Sequence, residues 1–238
     1  MEFFLIIIII ILAYLLFKGK NSSGEKIKQE TKKYGKALKE AASTFQKTVQ
    51  EEDKISKEDI NNLNDTVKVG VMATAEILES LYQPLKDDFD GKLPNEMWRD
   101  EMMIGFNGML ISYLLKSFVQ NASKDEKGLA VMMVYGKLSP GQLDAIMKDF
   151  NHYARNPSEE SQRGNKLANK LIDIVTNTNF NNEDFLSEDD PIMKEVLLRA
   201  PAYEQKPYSF GENNNYNAAI ATAFWELNIN EYILEKFQ

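Results

Sequence analysis

Hydrophobic residues follow two patterns along this chain. Residues 3–17 form an unbroken apolar run without a polar face, whereas from residue 25 onward apolar residues recur every three or four positions. The second spacing is that of an amphipathic α-helix, which turns one face to a core and the other to water. The pattern therefore predicts an N-terminal element of one kind and a helical remainder of another.

The apolar run predicts a transmembrane anchor. At about 1.5 Å per residue it spans roughly 22 Å, which is short for a hydrocarbon core of about 30 Å. Lys18 and Lys20 extend it, because a lysine stem can stay in apolar surroundings while its amine reaches the headgroups. We expect residues 1–18 to span the membrane, and the anchor includes Phe3, Ile8, Leu12, Phe17, Lys18 and Lys20.

Two other interpretations fit the run less well. A cleaved signal peptide normally has a basic n-region and small residues before its cleavage site, but Met1 and Glu2 precede the run and Lys18 follows it. A helix buried in protein would need neighbours on all sides, which does not suit a terminal segment followed by a flexible Gly/Ser linker at residues 19–24. We expect the anchor to be retained.

The lysines around the run predict its orientation. Lys and Arg near a membrane span collect on the cytoplasmic side, and here they occur only after the run. We therefore expect a single-pass protein of the inner (plasma) membrane, with its N-terminus outside and its C-terminal domain in the cytoplasm. The lack of cysteine suits a reducing compartment.

Residues 25–53 predict a basic amphipathic helix beside the membrane. Its apolar face comprises Ile27, Tyr34, Leu38, Ala41, Phe45 and Val49, and lysines cover the opposite face. A coiled-coil seam would use the same positions, but Ala and Tyr fit better in a helix that packs on its own body.

Charge separates this segment from the rest of the chain. Residues 18–50 carry nine Lys and three Glu, whereas residues 51–238 carry nineteen Lys plus Arg against thirty-two Asp plus Glu, a balance of −13. The basic segment is attracted to anionic lipid and the acidic remainder is repelled by it. The acidic remainder also argues against a nucleic-acid partner, since phosphates need neutralising cations.

Residues 54–238 predict one acidic, all-α cytosolic domain, because helix signals dominate and alternating strand patterns are few. A polar turn is expected at residues 177–190 and a long loop at residues 200–215. In the first part of this domain, the sequence predicts one helix that starts near Ser56 and stops at Pro84, and a second from about Asn95 to Asn121. A capping box at Ser123 and Glu126 starts the third helix, and the next starts with Ser139 as N-cap and Pro140 at N1, before a break at Asn156 and Pro157. Further helices are expected from Pro191 to about Arg199 and from about Tyr216.

Candidate catalytic or metal-binding residues are few. Residues 86–91 resemble part of a calcium loop, but Lys86 and Met97 occupy positions where that loop needs Asp and Glu. The single His152 follows Asp149 by one helical turn, which fits a solvent-exposed histidine near a helix C-terminus better than a metal ligand. Glu96, Asp100 and Glu101 are acids of a first helical turn, with metal binding or contact to a basic partner as the alternative.

An aromatic segment is the stronger candidate for binding. Tyr203, Tyr208, Phe210 and Tyr216 lie among Pro, Gly and Asn in the predicted loop. Tyrosine is a favoured interface residue, and long loops in compact domains are often functional. The other interpretation is that these aromatic residues fill the core from a loop.

These observations favour a membrane-tethered helical protein-binding module: an adaptor, an inhibitor or immunity-type protein, or an apparatus subunit. It would act on a partner protein at the cytoplasmic face, without a cofactor. The alternative is a membrane-anchored enzyme with a carboxylate-based, metal-containing site. The chain lacks a cysteine nucleophile, a Gly-x-Ser-x-Gly elbow and a Walker loop, which disfavours the alternative.

Overall fold

The computed structural model describes residues 60, 63–116, 118–176, 190–204 and 215–238. All regular structure within these ranges is helical, which confirms the all-α prediction for this part of the chain. The predicted anchor, linker and basic helix of residues 1–53 lie outside it. None of the helices in the described ranges combines the length and the apolar character that a membrane crossing requires.

The helices have the following bounds in chain order. They are α1 Asp65–Lys86, α2 Glu101–Leu115, α3 Lys124–Leu138, α4 Leu143–Arg155, α5 Glu159–Thr176, α6 Pro191–Arg199, α7 Pro201–Glu204, α8 Asn215–Trp225 and α9 Glu231–Phe237. Short 3-10 turns occupy Asp87–Phe89 and Asn95–Arg99, and a π-helical turn, Glu226–Asn230, joins α8 to α9. The described residues divide into two compact units: unit 1 contains those within 60–84 and 111–151, and unit 2 contains those within 85–110 and 152–238.

The core of unit 1 is formed by one face of each of its helices. Along α1, buried Val67, Val71 and Leu78 recur at helical spacing. The capping box of α3 is also confirmed. Glu126 N–H donates to the Ser123 hydroxyl over 3.2 Å, and Ser123 N–H donates to the Glu126 carboxylate over 2.8 Å. Two of the four N–H groups that a helix start leaves open are thus satisfied by local sequence.

Tyr135 in α3 is an unusual member of this core. Its ring packs edge-to-face on Phe150 with centroids 6.2 Å apart, yet its fully buried hydroxyl has no hydrogen-bond partner among the residues that the structure describes. Burial raises the pKa of Tyr135 well above its usual range, because an ionised phenol there would lose its hydration. The folded chain therefore holds this proton more tightly than the unfolded chain does.

Tyr135→Phe is expected to stabilise the protein by about 1 kcal/mol, because it removes an unpartnered buried hydroxyl and little else. The stability linked to a raised pKa is present below the unfolded value of about 10 and falls as pH rises above it, so the variant also loses less stability in alkali. Urea unfolding at neutral pH and above pH 10 measures both effects. Tyr232→Phe is the matched control: it removes a hydroxyl that donates to Asp100 over 2.8 Å and is expected to destabilise. A loss of stability in Tyr135→Phe would contradict this prediction.

Unit 2 contains a close crossing of α2 and α5 at two glycines. A Cβ on Gly164 would overlap the Met102 carbonyl oxygen and lie 2.7 Å from the Phe106 nitrogen. A Cβ on Gly105 would overlap the Ser161 carbonyl oxygen. The two backbones approach so closely that only glycine fits on either side of the crossing.

Helix α8 forms the other part of the unit 2 core. It packs against α5, α6 and α7, and its buried alanines Ala219 and Ala223 let the helices approach closely. Trp225 at its end meets the Phe106 ring edge-on, with centroids 5.7 Å apart.

The predicted helix end at Pro84 is wrong. Pro84 does not end α1, since a proline in the last turn removes only its own N–H and leaves the next two residues helical. The chain turns instead at Asp90, which has φ 54°, and Gly91 N–H donates to the Lys86 carbonyl over 2.7 Å. Residues 87, 88 and 90–92 are solvent-exposed in this turn.

Three further elements differ from the sequence prediction. The helix expected from Asn95 to Asn121 begins at Glu101 and ends at Leu115, because extended Asp100 interrupts it and caps α2. Ser139 ends α3 instead of starting α4, since the φ of +76° at Gly141 does not fit a first helical turn. The loop expected over residues 200–215 contains α7 and the first residue of α8.

Candidate partner-binding site

A groove lies between α5 and the start of α6 in unit 2. Its volume is about 420 Å³, within the usual range for a ligand or side-chain pocket. One face of α5 supplies most of its lining, at spacings of three, four and seven residues. The lining residues are Glu159, Gln162, Arg163, Lys166, Leu167 and Lys170 from α5, with Ile192 from α6. We call this the α5–α6 groove.

Local capping positions both helices of the groove. Ser158 caps α5, since its hydroxyl accepts from Ser161 N–H over 3.1 Å just after the predicted break at Asn156 and Pro157. Asp190 caps α6 by accepting from Ile192 N–H over 3.1 Å. The Asp190 carboxylate also pairs with Lys170 and so ties the start of α6 to α5.

The three cations of the groove differ in how far they are neutralised. Arg163 pairs with Glu160 over 3.3 Å, and Lys170 pairs with Asp190. Burial lowers the pKa of Lys170, and nearby Asp173 offsets part of that effect. Lys166 lies between them, solvent-exposed and without an ion-pair partner among the residues that the structure describes.

A second feature of unit 2 is the exposed face of α6. Leu198 is 77% exposed, and no other large hydrophobic side chain in the described ranges is exposed in this way. Pro201 and Ala202, which follow, are exposed as well. Single exposed leucines are common on proteins, but this one directly precedes the predicted aromatic binding segment.

Arg199 holds the C-terminal end of α6 in place. Its guanidinium donates to Glu195 over 2.8 Å and to Glu231 in α9 over 3.1 Å. The hydrogen bond to Glu195, together with the charges of both carboxylates, raises the pKa of Arg199. Leu198 therefore lies on a helix end that is fixed by its neighbouring residue.

The structure places the predicted site residues as follows. Tyr203 lies in α7, which corrects the prediction of a loop at that position, and Tyr216 lies in the first turn of α8 as expected. Helices α7 and α8 pack against each other, and α6 contacts both, so the helices that carry these two tyrosines are neighbours of the Leu198 helix. Phe3, Ile8, Leu12, Phe17, Lys18, Lys20, Tyr208 and Phe210 lie outside the described residues.

The candidate catalytic residues do not assemble. His152 is exposed in the last turn of α4, as predicted, and Glu96 is exposed in a 3-10 turn. Within the described ranges, no three His, Asp or Glu side chains are close enough together to hold a metal ion.

Asp100 has a structural role that the sequence did not indicate. Its carboxylate accepts from Met103 N–H over 3.1 Å, from the Tyr232 hydroxyl over 2.8 Å and from the Lys236 amine over 2.6 Å. The Asp100 side chain is only 6% exposed. Burial raises the pKa of Tyr232. Burial lowers the pKa of Lys236, but the hydrogen bonds that Lys236 makes to Asp100 and Tyr232 have the larger effect and raise its pKa overall. The cluster fastens α9 to the start of α2.

Neither Leu198 nor the cations of the groove were among the site residues predicted from the sequence. The spacing of Arg163, Lys166 and Lys170 around Leu167 was a usable signal, since it places three cations on one helix face beside an apolar residue. No sequence pattern distinguishes exposed Leu198 from half-buried Leu197, because the exposure of each leucine depends on tertiary packing.

Comparison with known proteins gives no relative. No protein-family model, no curated protein and no solved structure matches the chain.

Proposed function

We propose that this chain is a membrane-tethered protein-binding module that acts on a partner protein at the cytoplasmic face of the membrane. The observation that carries the proposal is the exposure of Leu198 on α6, immediately before the aromatic segment. The core of a protein interface is more apolar than the rest of the surface and is enriched in tyrosine, so an exposed leucine that tyrosines follow along the chain supports the proposal. An adaptor, an inhibitor or immunity-type protein and an apparatus subunit all use such a surface.

The tether supports this function through effective concentration. Residues 1–18 would hold the body beside membrane-bound partners, so that a small contact surface with modest affinity is enough. The basic residues 25–53 would lie at the anionic inner leaflet, and the acidic body would be held away from it and available to a partner.

Leu198→Ser is expected to weaken partner binding without destabilising the protein. The side chain contributes little to the core because it is 77% exposed, whereas a leucine buried in an interface typically contributes 1 kcal/mol or more. The measurement is the yield of crosslinked partner when the full chain is isolated from its own membrane, expected to fall by about fivefold or more. Thermal unfolding of the same variant should be unchanged.

Lys148→Ser is the matched control, because Lys148 is also exposed but lies on α4. Its crosslinking yield should equal that of the unmodified chain. Equal yields for Leu198→Ser and the unmodified chain would overturn the proposal that this surface binds the partner.

A further inference from the structure

We infer that α9 is a C-terminal clamp, a helix that docks and undocks as a unit and, when docked, holds the Leu198 end of α6 in place. The clamp has two polar attachments, one to Asp100 at the start of α2 and one from Glu231 to Arg199 in α6. The inference rests on the proposed function, since it names an element that controls the surface carrying Leu198.

The connection between α8 and α9 has the geometry of a hinge. Residues Glu226–Asn230 form a π-helical turn, which is rare in proteins and is found frequently at functional sites. The side-chain amide of Asn228 donates to the Phe224 carbonyl over 3.0 Å, in the turn before it. Helices bend most sharply where such a turn interrupts their regular hydrogen bonding. Helix α9 can therefore move about this turn while α8 keeps its structure.

Helix α9 buries little apolar surface. Of its seven residues only Ile233 is buried, and Leu234 and Phe237 are half-buried against the rest of unit 2. A helix of two turns is not stable by itself in water, because its few internal hydrogen bonds do not offset the ordering of the chain. Elements with few buried apolar contacts are the first to open locally. The polar contacts of α9 therefore largely determine whether it is docked.

The attachment at Asp100 is the stronger of the two. The Asp100 carboxylate accepts from the Lys236 amine over 2.6 Å and from the Tyr232 hydroxyl over 2.8 Å. Because the carboxylate is buried, water competes little for these charge-assisted hydrogen bonds. Lys236 also donates to the Tyr232 hydroxyl over 2.8 Å, one helical turn away. Both turns of α9 are thus fastened to the same residue at the start of α2.

The second attachment connects α9 to the helix that carries Leu198. Glu231, in the first turn of α9, accepts from Arg199 over 3.1 Å, and Arg199 also donates to Glu195 over 2.8 Å. These side chains are about half exposed, so the pair of Glu231 with Arg199 is weak by itself. It holds α6 only while α9 is fastened at Asp100. Loss of the Asp100 attachment is therefore expected to release the end of α6 as well.

Hydrogen–deuterium exchange of the full chain in detergent micelles measures the clamp. The amides of α9 should exchange at least about tenfold faster than the buried amides of α5, because α9 opens locally. Lys236→Met removes the charged donor to Asp100 and should speed exchange in α9 by a further factor of about ten. Exchange in the last turn of α6 should rise by about threefold in this variant, while α5 stays unchanged.

Three further variants separate the two attachments from a general loss of stability. Lys236→Arg keeps the charged donor and should restore most of the protection in α9. Lys148→Met makes the same change as Lys236→Met at an exposed lysine of α4 and should leave exchange in α9 unchanged. Glu231→Ala removes the link to Arg199 and keeps the attachment at Asp100. It should speed exchange in the last turn of α6 by about threefold, with a smaller change in α9.

The yield of crosslinked partner connects the clamp to the Leu198 surface, and it should fall by about threefold in Lys236→Met because that surface is less preorganised. Equal exchange rates in α9 and α5, or equal acceleration of both helices in Lys236→Met, would overturn the inference. An unchanged α6 or an unchanged crosslinking yield while α9 opens would also overturn it. If the unmodified chain crosslinks no partner, the proposed function is wrong, and the exchange rates still decide whether α9 clamps α6.

Discussion

Gly164→Ala should lower the free energy of unfolding by about 2–4 kcal/mol, which is the largest single-residue effect we expect in this protein. The added methyl would overlap the Met102 carbonyl oxygen, which belongs to the backbone of α2 and cannot rotate away as a side chain would. The helices must move apart, and neighbouring Phe106 and Leu167 then lose close packing. Alanine's better helix propensity recovers only about 1 kcal/mol and does not offset this cost.

The measurement is thermal unfolding of the full chain in detergent micelles, followed by far-ultraviolet circular dichroism. The midpoint should fall by roughly 5–15 °C. Gly128→Ala is the control, because Gly128 is an exposed interior residue of α3 with open space where its Cβ would lie, so stability should stay constant or rise by up to about 1 kcal/mol. Similar midpoints for the two variants would show that α2 and α5 do not cross at these glycines.

Asp100→Ala is expected to lower the free energy of unfolding by a similar amount, about 2–4 kcal/mol. The substitution removes the N-cap of α2, the acceptor of the Tyr232 hydroxyl and the counter-ion of Lys236 in one step. A lost cap costs about 1 kcal/mol, and each hydrogen bond to a charged group contributes about 1.5–3 kcal/mol before relaxation of the partners. Urea unfolding measures the loss.

Two variants define the origin of this loss. Asp100→Asn keeps the cap and the acceptor for Tyr232 but removes the charge, so it should lose about half as much. Asp125→Ala removes an exposed acid from the first turn of α3 and should cost less than about 1 kcal/mol. An equal effect of Asp125→Ala and Asp100→Ala would mean that the contacts to α9 contribute nothing.

The all-helical class was predictable because local signals determine it. The Ser123 and Glu126 box, the break at Asn156 and Pro157 and the start of α6 at Pro191 involve only neighbouring residues, and all three agree with the structure. Apolar spacing along α1 likewise identified its buried face, since that face is fixed by helical periodicity.

Boundaries that depend on distant residues were not predictable. Asp100 reads as an ordinary first-turn acid, but it interrupts the helix because Tyr232 and Lys236, more than a hundred residues later, bind its carboxylate. In the sequence, Gly105 is only a residue of low helix propensity, and its close contact with the backbone of α5 is visible only in the folded structure. Sequence spacing contains no information about which helix crosses which.

The candidate site was predictable only in part. The aromatic segment stays a prediction from composition, and its flanking residues Tyr203 and Tyr216 lie on neighbouring helices. Predicting the groove would have required knowledge that Ile192 of α6 lies beside α5. Predicting the exposure of Leu198 would have required the packing of the rest of unit 2. Both are tertiary features that follow the fold.

Photocrosslinking from residue 198 in intact cells tests the central claim most directly, that a tethered helical body binds a partner at the membrane. A photoreactive amino acid replaces Leu198 in the full chain and in a chain without residues 1–18, with residue 148 as the reference position. We predict one discrete adduct with a membrane-associated protein from position 198 of the full chain, absent from position 148 and strongly reduced without the tether. An adduct that persists equally without residues 1–18, or no adduct from position 198, would contradict the account.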